Sequence, residues 1–156
     1  MHGLTEELVI QQLLKVKWFQ DLSDQELIDL ARRGRHKFYS RYSTIFREGS
    51  FGDSFYVILQ GQVLCSSNCK SVSVTLSSGC YFGETALIAQ VRRELTASAL
   101  EDSVLLLFKL DDLKVQREQT QHQIIMHVIS RILETVPFFK SLKKECRDGL
   151  AEIMEV

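Results

Sequence analysis

From Phe38 to Leu110 the chain is broken into short runs of β-branched and aromatic residues, and no other feature restricts the fold as much. The runs are Phe38–Phe46, Ser54–Leu59, Gln62–Ser66, Ser71–Leu76, Leu95–Leu100 and Val104–Leu110. Turn residues separate them at Glu48-Gly49-Ser50, Gly52-Asp53, Gly61, Ser67-Asn68 and Glu101-Asp102. A lone hairpin is marginal in water, so strands this short must bury their apolar sides against one another. Their even spacing predicts a β barrel or jelly roll.

Helical periodicity flanks this region on both sides. Leu8, Leu13 and Leu14 outline a first amphipathic helix ending near Trp18-Phe19. Ser23 with Glu26 three residues on forms a capping box, after which Leu27, Leu30 and Ala31 line one face and Gly34 stops the helix in the usual glycine manner. Beyond Asp111-Asp112, which suit a helix start, Ile124, Ile125, Val128, Ile129, Ile132 and Leu133 make a broad apolar stripe.

Composition removes several classes of function. A net charge of −1 gives no global electrostatic reason to expect nucleic acid or an anionic membrane. No apolar run approaches the roughly 18 residues of a spanning helix, and no signal-peptide pattern opens the chain, so the expected compartment is the cytoplasm. Cys65 and Cys69 have a spacing that suits two zinc ligands, but a second ligand pair is missing and the residues between them read as a hairpin tip. With Cys80 and Cys146 they are expected to be free thiols. His2, His36, His122 and His127 form no metal motif, and no Ser/His/Asp or Cys/His set has mechanistic spacing, so an enzyme is not expected.

The chain also repeats itself. Leu13, Val16, Phe19 and Leu22 recur as Leu133, Val136, Phe139 and Leu142, and Leu30-Ala31 recurs as Leu150-Ala151 at the same offset. Register held across a helix, a turn and a second helix implies that residues 137–156 open a second copy of the same domain, with Pro137 at the seam.

One segment carries chemistry: Phe82-Gly83-Glu84-Thr85-Ala86-Leu87, then Arg92-Arg93-Glu94-Leu95-Thr96. Gly83 allows the backbone to approach a ligand closely and to start a short helix, whose first N–H groups suit an anion. Glu84 suits a sugar hydroxyl as hydrogen-bond acceptor. Arg93 suits a phosphate as a bidentate donor.

This stretch resembles the phosphate-binding cassette of the cyclic-nucleotide-binding domain family, Phe-Gly-Glu-x-Ala-Leu followed by Arg-x-Ala-Thr. Phe82, Gly83, Glu84, Ala86, Leu87, Arg93 and Thr96 match it at the family's spacing. The run Ile45 to Val63, with Gly49, Gly52-Asp53 and Gly61, looks like the family's second and third strands. The resemblance implies an α+β fold: a β jelly-roll (double-stranded β-helix) barrel with an N-terminal helical bundle and C-terminal lid helices. It divides the chain into helices over 1–35, the β-roll over 36–111 with its cassette at 82–96, lid helices over 112–136, and the next domain from 137. It also implies that Glu84 binds a ribose 2′-hydroxyl and Arg93 the cyclic phosphate of cAMP or cGMP, with backbone groups of Gly83, Thr85 and Ala86 completing the cradle.

The residues after Arg93 depart from the pattern. Family members often carry alanine or threonine there, the threonine reaching a guanine amino group; here the residue is Glu94, and Leu95 replaces the usual small alanine. A carboxylate roughly 5 Å from a phosphate costs about 3 kcal/mol at an effective dielectric near 20, more than a hundredfold in affinity. Glu94 offsets part of that by accepting from guanine N1–H and the 2-amino group, for which adenine has no equivalent donor pair. The expected role is a non-enzymatic sensor in a tandem-domain protein. Its expected partners are a cyclic nucleotide, favouring guanine, an adjacent domain of the same kind and a protein kinase catalytic domain. The rival is a degenerate fold that serves as a scaffold.

Overall fold

The structure, a computed structural model, describes residues 4–89, 91–109 and 112. The chain divides into two compact units, Met1–Gln116 and Arg117–Val156, and every described residue belongs to the first. The expected lid helices beyond Asp112 and the second domain from 137 lie outside the described residues.

Helix α1 (Glu6–Leu13) is capped by Thr5, and a 3-10 turn (Lys17–Phe19) follows it. Helix α2 (Asp24–Arg33) opens with the expected capping box, Ser23 accepting from the Glu26 N–H while Glu26 accepts from the Ser23 N–H. Gly34 ends α2, but not in the left-handed conformation that the sequence suggests, since its φ is −62°. Glycine is needed there because a Cβ would collide with the side chain of Leu106.

Among the described residues eight strands follow: β1 (Arg35–Tyr39), β2 (Thr44–Phe46), β3 (Ser54–Gln60), β4 (Gln62–Ser67), β5 (Val72–Ser77), β6 (Tyr81–Phe82), β7 (Thr96–Ala99) and β8 (Ser103–Lys109), with helix α3 (Glu84–Ala89) between β6 and β7. They form two four-stranded antiparallel sheets, ordered β1-β8-β3-β6 and β2-β7-β4-β5, a jelly-roll-like sandwich. One expected strand proves to be two. The run Phe38–Phe46 breaks at Ser40–Ser43, where Tyr42 takes a φ of +66° and the chain passes from one sheet to the other.

Strand β3 explains how the core is organised. Ser54 to Leu59 are all buried, because both faces of the strand are covered. Tyr56 and Ile58 point between the sheets with Val63, Cys65, Phe82, Ala97 and Leu105. On the other face Phe55 stacks on Phe108 at 5.2 Å, and Trp18 and Phe19 of the 3-10 turn cover that pair, at 6.0 Å from Phe55 and 6.4 Å from Phe108. Aromatic contacts of this kind contribute about 0.5–1.5 kcal/mol each beyond their burial. The N-terminal segment is thus part of the roll's hydrophobic structure. It also reaches the strand that leads into the cassette, since Trp18 lies 4.2 Å from Tyr81.

Candidate functional site

The site is built where β6 hands over to α3. Pairing of Phe82 with Tyr56 and of Tyr81 with Val57 holds β6 on β3. The chain then turns at Gly83 with φ of +87°, a conformation that side chains strain to adopt. Two of the next residues point inward: Glu84 is 2% exposed and Ala86 3%. Thr85 is half-buried.

Arg93 enters the same place from the segment before β7. Its backbone is stapled to the β2–β3 loop, the Arg93 N–H donating to the Ser50 carbonyl and the Gly49 N–H to the Arg93 carbonyl, both at 2.8 Å. The side chain is 5% exposed. Nη1 donates to the Gly83 carbonyl at 2.7 Å and Nη2 to the Ser54 carbonyl at 2.7 Å. The guanidinium lies over the Phe46 ring at 4.1 Å, with Tyr56 at 6.0 Å. Behind it there is no room: a Cβ at Gly52 would run into the guanidinium. Burial pushes the Arg93 pKa down, opposed by Tyr56 and Asp53. Arginine remains a cation at any ordinary pH. Its Nε is buried with no hydrogen-bond partner, so a charged donor is left over in a cradle shaped by two glycines. An anionic oxygen is the partner that would satisfy such a donor.

The structure brings Gly83, Glu84, Thr85, Ala86 and Arg93 together. Glu94 goes elsewhere. It is exposed, and its Oε2 lies 3.7 Å from Lys70 Nζ in the β4–β5 turn. Thr96 accepts from the Glu48 N–H at 3.0 Å, and Leu95 packs against the core cluster.

Sequence reasoning missed two features. Phe46 and Ser54 hold the guanidinium, and only their approach to Arg93 in space reveals it. Val72 and Val74, on strand β5, are the second. They lie opposite Ser67 and Cys65 in the β4–β5 register, hence on the inner face of the sheet, yet they are 42% and 44% exposed. The core's apolar face therefore continues as an uncovered ledge. Alternation along Ser71–Leu76 was the available signal, but which face is inner depends on the hairpin register.

Among the described residues no group of three or more His, Cys, Asp or Glu is placed to hold a metal. No described helix is long and apolar enough to cross a membrane.

Comparison with known proteins gives a consistent picture. A family model described as the cyclic nucleotide-binding domain matches residues 36–119. A cAMP-dependent protein kinase regulatory subunit of Debaryomyces hansenii is 38% identical over 95 residues, covering 60% of this chain and 21% of its own length. The cGMP-dependent protein kinase, isozyme 1, of Drosophila melanogaster is 36% identical over 98 residues, covering 59% of this chain and 13% of its own. The chain therefore spans about a fifth or less of these relatives. Among solved structures, a cAMP-bound PfPKA-R superposes with a TM-score of 0.70 at 25% identity, over 94% of this chain and 53% of that one.

Proposed function

The chain belongs to the cyclic nucleotide-binding domain family, and from that premise we propose that it is a sensor whose Arg93 receives a cyclic phosphate and whose Glu84 receives the ribose hydroxyl. The observation that carries this reading is the buried guanidinium with its unpartnered Nε, framed by Gly83 and Gly52. A cation held there without room to withdraw favours a bound anion. The exposed Val72 and Val74 supply an apolar surface for the base. Backbone groups of Gly83, Thr85 and Ala86 complete the phosphate cradle.

The relatives named above are a regulatory subunit of a cAMP-dependent protein kinase and a cGMP-dependent protein kinase, and the solved neighbour is cAMP-bound. We place this domain likewise in the control of a protein kinase, as the first of two tandem copies whose second begins at 137. The lid role that the family resemblance implies for residues 112–136 is part of this proposal. Binding regulates only if the ligand has unequal affinity for two states of the protein. Glu94 gives a modest preference for guanine, because its carboxylate accepts from N1–H and the 2-amino group together.

Calorimetric titration with cAMP and cGMP tests the reading. Both should bind, cGMP more tightly, and Arg93→Ala should abolish binding while leaving the fold intact by circular dichroism. Silence toward both nucleotides would favour the scaffold. Equal or tighter cAMP binding would remove the role of Glu94.

A further inference from the structure

An acid directly after the phosphate arginine is an obstacle to binding an anion, and the structure contains its counterweight. Lys70 Nζ stands 3.7 Å from Glu94 Oε2, with both side chains about half exposed. Lys70 lies in the turn between β4 and β5, and that turn is anchored. The Lys70 N–H donates to Ser67 Oγ at 3.1 Å, and Ser67 Oγ–H donates to Glu48 Oε1 at 2.9 Å. Glu48 is tied in turn to Thr96, since its N–H donates to Thr96 Oγ1 at 3.0 Å. The turn that carries Lys70 is thereby fastened to the start of β7 at Thr96, two residues after Glu94.

An ion pair this exposed contributes little to folding. Glu94 is the peptide neighbour of Arg93, with their Cα atoms about 3.8 Å apart, but the side chains diverge, Arg93 buried and Glu94 exposed. The negative charge of Glu94 still opposes, through space, a phosphate approaching Arg93 unless a cation offsets it. Arg92, another nearby cation, is committed elsewhere: its guanidinium stacks on Phe51 at 4.2 Å and donates to the Gly49 carbonyl at 2.8 Å.

We infer that Lys70 sets the affinity of this site for its anionic ligand by neutralising Glu94 and drawing its carboxylate toward the β4–β5 turn. Lys70 is a positioning residue that acts through Glu94 and does not itself touch the ligand. The inference rests on the proposed reading of Arg93 as the phosphate ligand. It makes the acid tolerable: an uncompensated Glu94 is an obstacle, whereas a paired one adds no net charge beside Arg93.

A double-mutant cycle on the full chain tests it, with dissociation constants for cAMP and cGMP measured by calorimetry. Lys70→Met should weaken both nucleotides roughly tenfold, and the loss should shrink as salt is raised. In the Glu94→Gln background the same change should cost less than about twofold, because the charge to be offset is gone. Lys70→Arg should bind like the parent, and melting temperatures without ligand should agree within about 1 °C. Parent-like affinity in Lys70→Met, or equal losses in both backgrounds, would overturn the role of Lys70 while leaving the cyclic-nucleotide reading intact. A parent chain that binds neither nucleotide would overturn both.

Discussion

At the scale of single residues the guanidinium of Arg93 is confined by Gly52 and Gly83, and comparing Gly52 with nearby Gly49 separates collision from strain. Gly49 has φ of +82° with open space around its missing Cβ, whereas Gly52 has no positive φ but no room beside Arg93. Gly49→Ala should therefore lower stability by about 1–2 kcal/mol, the strain of a left-handed side chain, and leave nucleotide affinity within about twofold. Gly52→Ala should do the reverse. It should displace the guanidinium and weaken binding at least about tenfold, an effect of about 1.4 kcal/mol, with a smaller change in the denaturation midpoint. Urea titrations and calorimetry on the two variants decide this, and identical profiles would show that the contact behind Arg93 is unimportant. The motif around Arg93 was readable from sequence because its residues lie close along the chain. Its supports were not, since Phe46, Gly52 and Ser54 come from the end of β2, the loop after it and the start of β3, and reach it only when the sheets close.

At the scale of elements, legibility followed how local the causes are. The capping box of α2 is a four-residue event, so Ser23 and Glu26 announced it correctly. Ser23→Ala should cost about 1 kcal/mol by urea denaturation, and a loss under a few tenths would mean that tertiary contacts alone hold the helix start. The strands between turns were likewise visible within a residue or two. The break at Ser40–Ser43 was not, because its positive-φ residue is Tyr42 and neither glycine nor proline marks the corner. What stabilises that corner is remote: the Tyr42 N–H donates to the Ala99 carbonyl at 2.7 Å and the Arg41 N–H to Asp102 Oδ1 at 2.8 Å. Strand β6 escaped notice for a different reason. Two residues carry no periodicity, and only pairing with β3 makes Tyr81–Phe82 a strand.

At the scale of the molecule, the arginine joins the two sheets through an aromatic cluster, and that cluster has a pH signature. Phe46 of one sheet meets Tyr56 and Phe82 of the other at 5.9 and 5.8 Å, and Tyr56 stacks on Phe82 at 5.1 Å. Tyr39 on β1 packs against the same group. Burial, reinforced by the neighbouring Tyr56 and the hydrogen bond between them, pushes the Tyr39 pKa up to about 12. In the unfolded chain a tyrosine releases its proton near pH 10. Between those values the unfolded state has lost the proton that the folded state retains, so rising pH favours unfolding. The contribution is fully present below about pH 10 and is lost as pH rises through about 12, with a total on the order of 2 kcal/mol. Tyr39→Phe should be less stable than the parent near neutrality, having lost a hydrogen bond worth about 1 kcal/mol. Its stability should fall less steeply above about pH 10, so the gap between the two proteins should close or invert by about pH 12. Urea midpoints measured side by side at several alkaline pH values cancel the lysines and other tyrosines that both proteins share. Parallel curves would place the alkaline weakness outside the cluster beneath Arg93.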